Sequence, residues 1–135
     1  RMNISNYADL LNAARQQPEP QRLLFVFTQS ELPEGYTEVQ TQRFKAGKGG
    51  VLTPKMCTDK ALDELSDFSD LVEESRKTGL DWKIVFVACL AGRAGVMPST
   101  EDAQTPLKKM VDSILNGAVS QYLAYDSDGN QVRFS

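Results

Sequence analysis

Two short, unbroken apolar runs, residues 23–27 and residues 84–90, constrain the fold of this 135-residue chain most strongly. Each run is too short for an ordinary helix. Residues 23–27 are flanked by polar residues and lack the alternating polar positions of a strand with one face in solvent, a pattern that is typical of a strand buried on both faces. We therefore place residues 23–27 at the centre of a sheet, and residues 84–90 give the strongest strand signal in the chain.

Helix-capping residues and apolar residues at helical spacing occupy the segments between the predicted strands. A first helix follows residue 6, a short second one covers residues 37–44, a third ends before Gly79, and a fourth ends at Gly117. The expected caps and first residues are Ser5 or Asn6 for the first helix, Ser66 or Asp67 for the third, and Thr105 with Pro106 for the fourth.

The remaining strand signals complete the predicted sheet. Residues 51–58 form a strand in which Pro54 favours an edge position. Residues 119–125 and 131–134, joined by a tight turn, form a C-terminal β-hairpin. Two consecutive strand–helix–strand units are expected to cross over right-handed and give parallel neighbours. The sequence predicts one α/β domain, residues 2–135, with a mixed five-stranded sheet and flanking helices.

Composition excludes several classes of function. The chain has no histidine, which removes Ser-His and Cys-His nucleophiles and histidine metal sites. Two cysteines are too few for a structural zinc site, and the acidic residues between 59 and 70 match no calcium-binding loop. A net charge of −3 with both signs mixed along the chain argues against nucleic-acid binding, and no apolar run is long enough for a membrane span. We expect a cytoplasmic protein without metal, cofactor, nucleic-acid or membrane partner.

Three segments together resemble a known family. They are residues 49–60, GGVLTPKMCTDK, residues 81–88, DWKIVFVA, and residues 122–126, YLAYD. With residues 4–24 they are similar to small bacterial proteins that are often labelled ribonucleotide reductase subunit alpha. The resemblance covers nearly the whole chain and implies no catalytic residues. A reductase catalytic subunit is several times longer and uses a set of redox and radical cysteines, so the label transfers no activity to a chain with two.

The loop after residues 84–90 is the candidate ligand-binding site, because ligands of open α/β sheets bind beyond the carboxyl ends of parallel strands. The Arg93 guanidinium can form a forked pair with a carboxylate or phosphate. An ordinary connecting loop is the alternative interpretation, since Glu101 and Asp102 would repel an anion. The candidate ligand-binding residues are Gly92, Arg93, Gly95, Ser99 and Thr100.

Two further hypotheses concern the strands. Cys57 and Cys89 lie near the ends of predicted parallel strands and can be read as a redox pair, although we favour inert, buried thiols. Val132 and Phe134 of the last predicted strand form a candidate interaction surface, which motivates a homodimer hypothesis.

These observations favour a small non-catalytic accessory or regulatory protein that acts through protein–protein interaction or self-association. The alternative is a small-molecule or anion-binding protein, with an enzyme as one form of it, that uses the Arg93 loop. A contact partner of the nucleotide-reduction machinery is a third hypothesis, which follows from the family label alone.

Overall fold

The computed structural model describes residues 6–32, 35–46 and 50–134. None of the described helices is both long and apolar enough to cross a membrane. The elements in chain order are α1 Tyr7–Arg15, β1 Gln21–Glu31, α2 Glu38–Lys45, β2 Val51–Ala61, a 3-10 turn Leu62–Glu64, α3 Phe68–Arg76, β3 Ile84–Ala91, α4 Thr100–Leu115 and β4 Leu123–Asp126.

The sheet has four strands in the order β2-β1-β3-β4, and every neighbouring pair is antiparallel. The α/β class is confirmed, but the prediction of a mixed five-stranded sheet with parallel neighbours was wrong. β2 and β3 do run in the same direction and are joined through α3, yet β1 lies between them and pairs with both. β1 and β2 pair antiparallel although α2 lies between them in the chain, and α2 buries no residue.

The fifth predicted strand is absent from the described residues. The tight turn is present: the Asp126 carboxylate accepts hydrogen bonds from the N–H groups of Asp128 and Asn130, at 2.9 and 3.0 Å. Beyond it only Gln131 forms an isolated bridge, with Tyr125. The Val132 N–H still donates to the carbonyl of Ala124 in β4 at 2.9 Å, and the side chains of Val132 and Phe134 pack against the apolar cluster under α4. The predicted hairpin therefore consists of one strand, a turn and a packed tail.

β1 divides the core into two layers. Leu23, Phe25 and Phe27 point to one face, which α1 and α3 cover, whereas Leu24 and Val26 point to the other, which α4 covers. All five side chains are buried, and each such burial stabilises the fold by about 1.5–3 kcal/mol. The central position predicted for residues 23–27 is confirmed, and the absence of polar alternation follows from helices on both sides of the sheet.

The local signals for edge and cap positions are mostly confirmed. β2 is an edge strand, and its pairing with β1 shifts by one residue beside Pro54. The side chain of Asn6 caps α1 and that of Asp67 caps α3, while Ser5 lies outside the described residues. α2 begins after Thr37, close to the predicted boundary.

The start of α4 differs from the prediction. The helix begins at Thr100, capped by Ser99, and not at Thr105. Ser99 and Asp102 exchange side-chain and backbone hydrogen bonds in a capping box, which satisfies N–H groups at the helix start. Pro106 therefore lies inside the helix, where it removes a backbone hydrogen bond.

Candidate functional site

The Arg93 loop begins with a tight turn. Arg93 and Val96 form an isolated antiparallel bridge, in which the Val96 N–H donates to the Arg93 carbonyl at 2.9 Å. The two central residues, Ala94 and Gly95, have φ angles of 51° and 77°, as a type I′ turn requires. The Gly95 N–H donates to a carboxylate oxygen of Glu19 at 2.7 Å. The Gly95 N–H, which an anionic ligand would need as a donor, is therefore already bonded to the carboxylate of Glu19.

Gly92 is required by close packing of the chain. Its N–H donates to the carbonyl of Pro20 at 2.8 Å. A Cβ atom at this position would lie 2.0 Å from the carbonyl oxygen of Val96. Backbone atoms thus fill the space next to the Cα atom of Gly92, and no room for a ligand is left there.

Ser99 and Thr100 take part in the anchoring of α4. Besides the capping box of Ser99, the Thr100 hydroxyl donates to Asp59 Oδ2 at 2.9 Å. The same carboxylate accepts from Arg22 Nη1 at 3.1 Å, and Arg22 Nε donates to the carbonyl of Pro98 at 2.7 Å. This network ties α4 and the preceding loop to β1 and β2. Thr100 and Ser99 are therefore committed to structural hydrogen bonds.

Arg93 itself borders an open cavity of about 400 Å³, together with Met97, Pro98 and Asp102. The guanidinium of Arg93 forms no ion pair within the part of the chain that the structure describes. Hydrogen bonds with Ser99 hold the pKa of Asp102 below its usual value. The cavity thus presents one charge of each sign.

Comparisons with protein-family models, curated proteins and solved structures found no match for this chain. The relation to the reductase-labelled bacterial family stays a prediction.

Val132 and Phe134 are only partly exposed. Both pack against the cluster under α4, and the Phe134 ring lies 5.5 Å from that of Phe86, centroid to centroid. The predicted interaction surface is therefore limited to the solvent-exposed parts of these two side chains.

A larger concavity, of about 680 Å³, lies between α1 and α3 and is closed at one end by the turn at residues 127–129. We call it the helix groove. Leu11, Phe68 and Val72 contribute apolar surface to it, and Arg15, Arg76 and Asp67 are among the charged residues that line it.

Aromatic contacts bring the starts of the two helices together. The rings of Tyr7 and Phe68, the first residues of α1 and α3, meet edge-on at a centroid distance of 5.2 Å. Tyr125 of β4 packs against both rings, at 6.1 and 5.9 Å. Among the described residues, neither buried tyrosine hydroxyl has a hydrogen-bond partner. Burial raises the pKa of Tyr7, and burial together with the charge of Asp9 raises the pKa of Tyr125 to about 12.

The charges of the groove therefore come from its arginines and carboxylates. Both tyrosines are neutral near pH 7 because the ordinary tyrosine pKa is about 10, and burial raises it further. Asp67 is ionised near pH 7 like any carboxyl group of ordinary pKa, and hydrogen bonds from the Asp70 N–H and the Ser69 hydroxyl lower its pKa further. Arg15 and Arg76 are exposed, and within the described ranges neither forms an ion pair.

The sequence alone did not reveal this groove, because its walls come from two helices about 60 residues apart in the chain. A basic residue in the last turn of a helix is a common termination signal, so Arg76 indicated only a helix end. The one feature that could have indicated the groove is that two nine-residue helices each end in an arginine.

The two cysteines do not form a pair. Cys57 lies opposite Val26, which faces α4, whereas Cys89 lies opposite Leu23, which faces α1 and α3. Because directly opposed residues of antiparallel strands share a face, the two thiols are on opposite faces of the sheet. Both are exposed, so the expectation of buried thiols was wrong. Partial desolvation still raises the pKa of each.

Proposed function

We propose that the protein is a small, non-catalytic accessory or regulatory factor that binds another protein through the helix groove. The observation that carries the proposal is the groove itself: an open concavity with apolar side chains between charged ones. Apolar side chains ringed by charged ones are the arrangement of a protein interface, which has an apolar core and a polar rim. The lack of histidine supports binding over catalysis. A cytoplasmic location is part of the proposal, and two free thiols fit a reducing compartment.

Binding of a small molecule or anion at the Arg93 loop is the second candidate. It is favoured by the guanidinium of Arg93, which has no ion-pair partner among residues 6–32, 35–46 and 50–134 and borders a cavity of about 400 Å³. Asp102 in the same cavity and the Glu19 carboxylate on the Gly95 N–H both oppose an anion there. The helix groove has two arginines and a larger apolar surface, and is the better supported site.

A quantitative pull-down from native lysate separates these candidates. The baits are the unaltered protein, an Arg15→Glu/Arg76→Glu variant, an Arg93→Glu variant and a Phe134→Ser variant. All three arginines are exposed, so the first two variants should stay folded, with a loss of about 0.3–1 kcal/mol for each reversal in a last helical turn because it opposes the helix macrodipole. We expect a partner whose recovery falls at least tenfold with the groove variant alone.

Other outcomes contradict the proposal in distinct ways. Loss of the partner only with Phe134→Ser moves the interface to the C-terminal segment. Loss only with Arg93→Glu, or no enriched protein together with an anion that stabilises the protein unless Arg93 is replaced, supports the second candidate.

A further inference from the structure

The helix groove has opposite charges at its two ends. The turn at residues 127–129 sits on the start of α3, since a Cβ atom on Gly129 would lie 3.3 Å from the Phe68 ring. Asp128 and Asp67, the neighbours of these two residues, both line the groove. The end at which the two helices start is therefore acidic.

The basic end lies along the helices. Arg15 and Arg76 each come eight residues after the first residue of their helix, a rise of about 12 Å. Because the helix starts are held together by the contact between Tyr7 and Phe68, the Cα atoms of both arginines lie about two turns beyond the acidic end. Glu73, one turn before Arg76, also lines the groove. An occupant that spans the groove therefore meets two carboxylates at one end, apolar side chains and one carboxylate in between, and two guanidinium groups at the other end.

The backbone of the walls restricts what the occupant can be. Both walls are α-helices, whose interior N–H and C=O groups are paired within the helix. They offer no row of backbone donors and acceptors to an extended peptide, as the edge of a sheet does. An occupant gains no backbone hydrogen bonds from these walls, which favours an α-helix because its own N–H and C=O groups are already paired.

We propose that the occupant is an amphipathic α-helix of the partner, oriented against the direction of α1 and α3, with acidic residues in its first turn and basic residues in its last. This inference rests on the proposed function. Helices commonly carry this charge order because it complements the helix macrodipole. In this orientation the acidic first turn meets Arg15 and Arg76, and the basic last turn meets Asp67 and Asp128.

A displayed library of random peptides tests the inference. Peptides of about 14 residues are long enough to form a helix on the groove. The library is selected on the unaltered protein alone, and binding of the selected peptides is then compared on the Arg15→Glu/Arg76→Glu variant and on Arg93→Glu as the matched control. We expect selected peptides with Asp or Glu in the first turn, Lys or Arg in the last, and apolar residues at positions i, i+3, i+4 and i+7.

Synthetic peptides then measure the orientation by fluorescence anisotropy. Exchange of the acidic and basic ends of a selected peptide should weaken binding to the unaltered protein about tenfold, because attraction becomes repulsion at both ends. The Arg93→Glu variant should bind the original peptide unchanged.

The outcomes separate the two proposals. Selected peptides that need Arg15 and Arg76 but lack the charge order, or that bind equally well after the exchange, overturn the inference and leave the proposed function standing. Peptides that bind the groove variant as tightly as the unaltered protein, or a library without binders, contradict both.

Discussion

At the residue scale, Asp59 joins three elements through a single carboxylate. It lies in β2, accepts hydrogen bonds from Arg22 of β1 and Thr100 of α4, and its side chain is only 10% exposed. Loss of one partner from a desolvated pair is costly because the other charge stays behind unpaired. This role could not be predicted from sequence, because Asp59 is one of several acidic residues spread between positions 59 and 70.

We predict that Asp59→Ala lowers the free energy of unfolding by about 3 kcal/mol. The physical reason is that Arg22, with a side chain 13% exposed, loses the nearer of its two carboxylate partners and keeps only Glu64, at 3.9 Å. Urea denaturation at pH 7 measures the change. Asp63→Ala is the control: this side chain is exposed, and its removal should change stability by less than about 0.5 kcal/mol. Equal effects of the two substitutions would contradict the network.

Asp67 makes the stability depend on acid. Its pKa is lowered in the folded protein by hydrogen bonds from Asp70 and Ser69. Its contribution is therefore present above the ordinary carboxyl pKa of about 4 and is lost as the pH falls through the lowered value. Asp67→Asn keeps a capping side chain without a titrating group.

We expect Asp67→Asn to match the unaltered protein closely at pH 7 and to lose less stability between about pH 5 and pH 2. Urea denaturation across this range measures how the free energy of unfolding changes with pH for each of the two proteins. Asp63→Asn serves as the reference substitution. Identical acid dependence for Asp67→Asn and the unaltered protein refutes the role of the cap.

Cys57 and Cys89 should not form a disulfide with each other. Cys57 and Cys89 lie on opposite faces and on strands separated by β1, so two strand spacings of about 4.8 Å each keep them apart. We predict no intramolecular disulfide after treatment of the native protein with diamide, as read by mass spectrometry. An intact, monomeric product two mass units lighter would contradict the sheet order.

At the element scale, α4 shows a conflict between two local signals. Thr105 and Pro106 have the residue types of a helix start, but the Ser99–Asp102 capping box begins the helix earlier. Pro106 is then the seventh residue of α4. The helix tolerates it because Leu107 and Met110 anchor the following turn in the core.

We predict that Pro106→Ala stabilises the protein by about 1–3 kcal/mol, because the missing backbone hydrogen bond is restored. Thermal and urea denaturation measure the gain. Thr105→Ala, at the neighbouring exposed position, should have a much smaller effect. A loss of stability in Pro106→Ala would show that the ring makes a packing contact of its own.

Most elements could be predicted from local patterns. The central strand, the edge position of Pro54 and the caps Asn6 and Asp67 each follow from a few neighbouring residues. The last strand could not be predicted, because the apolar residues Val132 and Phe134 suit a tail packed under the sheet as well as a strand.

At the scale of the whole molecule, strand order and the groove both depend on distant parts of the chain. The position of β1 between β2 and β3 cannot be recognised from the residues of either strand–helix–strand segment. The groove likewise needs α1 beside α3, a neighbourhood fixed by the Tyr7, Phe68 and Tyr125 rings. The Arg93 site was predicted from a rule that holds for parallel sheets, whereas the strands of this sheet pair antiparallel.

Site-specific photo-crosslinking in native lysate tests the central claim, that a partner occupies the helix groove, most directly. A photoreactive phenylalanine analogue replaces Glu73, which lines the groove, or Lys108, which is exposed on α4 as the control. We predict a crosslinked product of discrete mass from position 73 that is absent from position 108 and is lost when Arg15→Glu/Arg76→Glu is added. The same products from both positions, or a product that survives the two substitutions, would contradict the claim.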